Sequence, residues 1–140
     1  MIVLDTNIIS ETMRLKPNGA VIAWLDDQVP SDLYLCAPVL AELYYGIARL
    51  EESGRKSALR KRCREMLTQV FDGRMLDFDA AAAESYGLLV AKREAEGNPI
   101  SVMDAMIAAI AQSNSAALAA RNIDDFAKTG LTLINPFASA

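Results

Sequence analysis

The sequence predicts an α/β domain of three layers, α/β/α, around a central parallel sheet of four to five strands, with residues 1–140 as a single unit. Two observations carry that reading. Short apolar runs without polar alternation, such as Met1-Ile2-Val3-Leu4 and Leu33-Tyr34-Leu35-Cys36, suit strands covered on both faces. Between them lie longer stretches with apolar residues at helical spacing, so strands alternate with helices along the chain, as parallel sheets require.

The elements follow in order. After the first strand, Thr6 and Asn7 open a short helix from Asn7 to about Leu15, ended by Pro17 and Gly19. Asn18 caps a second helix that runs through Trp24 and Leu25 to about Gln28 and buries Val21 and Ile22. Pro30 and Ser31 break it, and the second strand, Leu33 to Cys36, leads into a helix starting near Pro38, a favoured first helical position. Val39, Leu40, Leu43, Tyr44 and Ile47 give that helix a wide apolar face, and Gly54 separates it from a basic helix spanning about Lys56 to Phe71. Asp72-Gly73 signals a turn before a third strand, Arg74 to Phe78. Asp79 caps a long helix from Ala80 to Glu96, closed by Gly97-Asn98-Pro99. The helix containing Asp104 comes next, then a fourth strand at Ala116 to Ala119, a helical turn at Ile123 to Lys128 and a last strand from Leu131 to Ile134.

With 140 residues, 52% of them hydrophobic, the chain is long enough for a real core. The apolar run from Ala105 to Ala111 falls well short of the roughly 20 residues of a membrane span, and no basic, apolar leader precedes the first strand. The expectation is a soluble, cytoplasmic protein. Cys36 and Cys63 read as buried thiols rather than a disulfide framework.

The chain has no histidine. That excludes Ser-His-Asp and Cys-His relays and a histidine acid–base pair for RNA cleavage, and two cysteines alone make a poor zinc site. Hydrolytic chemistry must therefore rest on carboxylates, whose oxygen donors favour Mg²⁺ or Mn²⁺. The net charge is −4, yet seven of the 14 basic residues lie between Arg49 and Arg64: Arg49, Arg55, Lys56, Arg60, Lys61, Arg62 and Arg64. Such a stripe is a solvated helix face or a resting place for a phosphate backbone.

Asp104 is the conspicuous acid, standing in the most apolar helix of the chain. A capping box, Ser101-x-x-Asp104, accounts for it in structural terms. The arrangement recurs, however: Asp5 follows the first strand, Glu42 falls in the first turn after Pro38, and Asp125 follows the fourth strand. A parallel α/β sheet brings these strand ends to one edge, where ligands bind at the switch in strand order. Four carboxylates in one crevice repel one another and raise their pKa values unless a cation joins them. Four unrelated helix caps could gather at the same edge, since caps belong at helix starts, so the difference between the two readings is this electrostatic one.

Leu4-Asp5-Thr6-Asn7, Ala41-Glu42-Leu43-Tyr44-Tyr45-Gly46, Met103-Asp104-Ala105-Met106-Ile107-Ala108-Ala109 and Arg121-Asn122-Ile123-Asp124-Asp125-Phe126 together resemble the four motifs of PIN-domain ribonucleases, closest to the FitB-like VapC toxins of type II toxin–antitoxin pairs. The likeness extends to the closing Ile134-Asn135-Pro136-Phe137. It implies Mg²⁺-dependent endonuclease activity on RNA, with Asp5 and Asp104 as metal ligands and Glu42 and Asp125 completing the catalytic quartet. It implies that Asn122 helps the site and that Thr6 or Asn7 orients Asp5. Arg49, Arg55, Lys56, Arg60 and Arg121 would then hold flanking phosphates. The resemblance further implies a homodimer inhibited by a small VapB/FitA-like antitoxin whose tail covers the acidic pocket, with DNA met only through that antitoxin. Asp125 rather than Asp124 fits the register, because it directly precedes Phe126. One departure is Ala120, where the family usually carries Thr or Ser. Two alternatives stand beside this reading: a PIN-like module that binds RNA or protein without cleavage, and a receiver-like phosphotransfer domain, which lacks its late-strand lysine at Ala119-Ala120-Arg121.

Overall fold

The computed structural model describes residues 1–138. Five parallel strands form one sheet: β1 (Ile2–Leu4), β2 (Leu33–Cys36), β3 (Met75–Leu76), β4 (Ala117–Ala119) and β5 (Leu133–Ile134), in the spatial order β3-β2-β1-β4-β5. Six α-helices connect them: α1 (Thr6–Thr12), α2 (Gly19–Asp26), α3 (Ala37–Ala48), α4 (Gly54–Glu65), α5 (Ala80–Ala95) and α6 (Val102–Ser113).

Successive residues of the central strands are buried: Val3 and Leu4 on β1, Leu118 and Ala119 on β4. Side chains alternate between faces along a strand, so both faces of the sheet are covered, as the unbroken apolar runs predict. Register across the centre pairs Val3 with Tyr34 on one side and with Leu118 on the other. The core is richest along α6, where Ala105 and Ile107 to Ala111 are all buried.

Several expected elements change length. The first helix ends at Thr12, three residues before Leu15, and the two outer strands shrink to two residues each. Short edge strands expose few unpaired backbone groups to other chains. The basic helix does not run unbroken to Phe71. It passes after Glu65 into a π-helical turn, Met66–Val70. There the Thr68 hydroxyl donates to the carbonyls of Arg64 (3.2 Å) and Glu65 (3.4 Å), and the Phe71 N–H reaches back to the Met66 carbonyl at 2.9 Å. A side chain that competes for helix carbonyls widens the ladder locally. Asn18 and Asp79 cap α2 and α5 as expected, and Gly97 stops α5 with φ +70°, a left-handed conformation that glycine adopts without strain. Among the described residues no helix is long and apolar enough to cross a membrane.

Candidate active site

The strand order reverses between β1 and β4, and the two are tied at their carboxyl ends. The Asp5 N–H donates to the Ala119 carbonyl at 2.9 Å, just beyond the last paired residues, Leu4 and Ala119. β1 delivers Asp5 to this edge, and the chain leaving β4 delivers Asn122 and a 3₁₀ turn, Ile123–Phe126, that carries Asp125. Glu42 comes from α3 and Asp104 from the first turn of α6. Asp5, Thr6, Asn7, Glu42, Asp104, Asn122, Asp125 and Phe126 line one crevice of about 230 Å³. A larger cavity of about 460 Å³ beside α1, α2 and α4 is mainly apolar and contains none of these acids. The expected convergence is present.

Helix capping does not account for it. Asp5 occupies the N-cap position of α1 but its side chain makes no capping hydrogen bond, and Glu42 lies in the second turn of α3, not the first as expected. At α6 the cap is Ser101, whose hydroxyl accepts from the Asp104 N–H at 3.2 Å. The reverse bond of a full capping box, from the Ser101 N–H to the Asp104 carboxylate, is absent among the described residues.

Electrostatics record the crowding. Asp5 is only 6% exposed. Its pKa is raised from 3.8 to about 6, chiefly by burial, with the negative charges of Asp104, Glu42 and Asp125 adding to the rise and a hydrogen bond from the Thr6 backbone opposing it. The Asp104 carboxyl is raised in the same way, first by burial and then by Asp125 and Glu42, against a hydrogen bond with the Ser101 hydroxyl. Behind them Cys36 is buried and pushed up to about 12, so it remains an inert thiol.

Thr6 serves a different acid from the one expected. Its hydroxyl donates to Glu42 Oε1 at 2.6 Å, so it orients Glu42 across 36 residues, and only its backbone assists Asp5. Asn7 and Asn122 line the crevice. Ala120 does not: it is fully buried, with its N–H on the Ile134 carbonyl, so the missing hydroxyl leaves no gap in the crevice wall.

The basic stripe is split. Arg55 lines a cleft that shares Thr6 and Glu42 with the acidic crevice. Arg49 lies over the ring of Tyr45 and Arg121 over that of Phe137, while Arg60 stays partly exposed on α4. Lys56 departs from the expectation. It is 7% exposed, and its ammonium donates to Glu52 at 2.6 Å and to the Ala48 carbonyl at 3.1 Å, so it fastens α4 to the end of α3 instead of facing a phosphate. Sequence reading also passed over Arg93, a buried guanidinium beneath the turn that carries Asp125. An arginine in the last turn of a helix ordinarily signals only the helix dipole.

Among the described residues, no three or more Asp, Glu or Cys side chains draw close enough to form a ready ligand cluster. The donor set nevertheless fits Mg²⁺, which retains several waters and is commonly held through one or two carboxylates. Asp5 and Asp104 share the crevice, and the charges of Asp104, Glu42 and Asp125 raise the proton affinity of Asp5, the electrostatic condition that a bound cation relieves.

A family model described as the PIN domain matches residues 2–131. The chain belongs to the PIN-domain family. This PIN-domain chain is 39% identical over 140 residues to the VapC ribonuclease Y4jK of Sinorhizobium fredii, covering 100% of both chains. It is 37% identical over 137 residues to the toxin FitB of Neisseria gonorrhoeae, covering 98% of this chain and 99% of FitB. Among solved structures, the FitAB complex bound to an IR36 DNA fragment superposes with a TM-score of 0.94 at 36% identity, covering 100% of this chain and 98% of that one.

Proposed function

We propose that the protein is a Mg²⁺-dependent endoribonuclease and the toxin of a type II toxin–antitoxin pair, with Mn²⁺ able to replace Mg²⁺. The observation that carries the proposal is the meeting of Asp5, Glu42, Asp104 and Asp125, from four separate segments, in one crevice at the strand-order switch. The family and the names of its relatives, one a VapC ribonuclease and one a toxin, support this reading.

Asp5 and Asp104 would hold the ion, with Glu42 and Asp125 completing the site directly or through water. In such a site a divalent ion supplies Lewis-acid polarisation of the phosphodiester and acidifies the attacking water. Glu42 has one oxygen fixed by the Thr6 hydroxyl, which leaves Oε2 to take a proton from that water. Asn122, at the rim, donates to a phosphate oxygen, while Arg55, Arg60, Arg49 and Arg121 hold flanking phosphates. The acidic crevice repels an RNA backbone by itself, so cation and substrate bind cooperatively. The FitAB likeness supports a VapB/FitA-like antitoxin as partner, and a homodimer that meets DNA only through that antitoxin completes the proposal.

The test is cleavage of end-labelled single-stranded RNA with Mg²⁺. Loss of cleavage in EDTA and in Asp5→Asn is expected. Cleavage that persists in Asp5→Asn overturns the site, and RNA binding without cleavage by the wild type favours a binding module.

A further inference from the structure

We infer that Arg93 is a positioning residue for Asp125: its buried guanidinium clamps the main chain of the turn that presents that carboxylate to the crevice. Arg93 is 2% exposed, and it pairs with no carboxylate among the described residues. Nε donates to the Asn98 carbonyl at 2.7 Å, while one terminal nitrogen, Nη1, donates to the carbonyls of Ala127 (2.7 Å) and Asp125 (3.2 Å). A cation buried without a counter-ion is retained only where dipoles replace water around it. Here those dipoles are three carbonyls, two of them in the segment that leaves β4 for the site. The planar guanidinium reaches all three at once from a single fixed side chain, which a lysine ammonium on a flexible stem does not reproduce.

The turn itself is short and weakly self-supporting. Its bonds run from the Asp125 N–H to the Asn122 carbonyl (3.0 Å) and from the Ala127 N–H to the Asp124 carbonyl (3.2 Å). Below it, Phe126 is buried and its carbonyl accepts from the Thr129 hydroxyl at 2.6 Å. Arg93 supplies the link from this turn to α5 and to the loop after it. The consequence for catalysis rests on the ribonuclease reading above, whereas the clamp is measured without RNA.

The experiment compares the full chain with Arg93→Met, Arg93→Lys, Asp125→Asn and the double variant Arg93→Met/Asp125→Asn. Hydrogen exchange is expected to speed up about ten-fold at the amides of Asp125 and Ala127 in Arg93→Met, with β1 and β4 amides unchanged. Cleavage at saturating RNA should fall about ten-fold with KM held, as for the loss of a charge-assisted hydrogen bond. In the Asp125→Asn background the same substitution should lower the rate no further. Arg93→Lys keeps the buried charge and serves for the same measurements if Arg93→Met does not fold. Unchanged exchange across residues 122–127 in a folded variant overturns the clamp. A rate loss that multiplies with Asp125→Asn shows that Arg93 acts elsewhere. A wild type that cleaves no RNA removes the ribonuclease reading, and the exchange result still decides the clamp.

Discussion

Asp5 is held in its charged form against the preference of its surroundings. Its pKa is 3.8 in an ordinary setting and about 6 in the folded chain, so between those values the folded state binds more protons than the unfolded one. Stability therefore falls as pH rises from about 4 to about 6 and stays reduced above that, by about 3 kcal/mol for a shift of this size. Asp5→Asn removes the charge: thermal melts should show a higher midpoint than wild type at pH 7 and a flatter profile between pH 4 and 6, while RNA cleavage is lost. Thr6→Val, which keeps the shape and deletes the hydroxyl on Glu42, should lower kcat by about ten-fold or more in the same assay with little change in melting temperature. Asp5, Asp104 and Asp125 were legible in the sequence because each follows a strand or opens a helix, whereas Glu42, in the second turn of α3, was placed one turn too early. The Thr6–Glu42 bond was not, since nothing local announces a partner 36 residues away.

Charge counting along 49–64 treats the basic helix as uniform, but its phase is not uniform. Lys56 and Cys63 stand seven residues apart and are both buried, with the half-buried Leu59 between them on the same face. That periodicity was present in the sequence and places Lys56 inward, whereas Arg55 falls off that face. Lys56→Ala should lower stability by about 1–3 kcal/mol in urea unfolding, by stranding the Ala48 carbonyl and losing the Glu52 pair. It should leave the salt dependence of RNA affinity unchanged, measured in the non-cleaving Asp5→Asn background. Arg55→Ala and Arg60→Ala should do the reverse, each flattening the salt slope by about 0.7. The π-helical turn after Glu65 was not legible, because one threonine in a helical pattern does not reveal that its hydroxyl will take the Arg64 carbonyl. The lengths of β3 and β5 were likewise hidden, since apolar runs such as Leu131 to Ile134 outlast the residues that actually pair.

Across the whole molecule, the fold class followed from strand–helix alternation, but the order β3-β2-β1-β4-β5 depends on β1 pairing with a strand more than a hundred residues later. That pairing makes one crevice from the two ends of the chain. A divalent cation should therefore act as a structural ligand: at about 100 times its Kd, Mg²⁺ or Mn²⁺ should stabilise the wild type by about 2.7 kcal/mol in thermal melts, reversed by EDTA and absent in Asp5→Asn. The seam between β1 and β4 has one more consequence. During synthesis Asp5 leaves the ribosome before Glu42, Asp104 and Asp125, so a product truncated before Phe126 carries no complete crevice. The ribonuclease proposed above would therefore lack its site until the chain through Phe126 has been made.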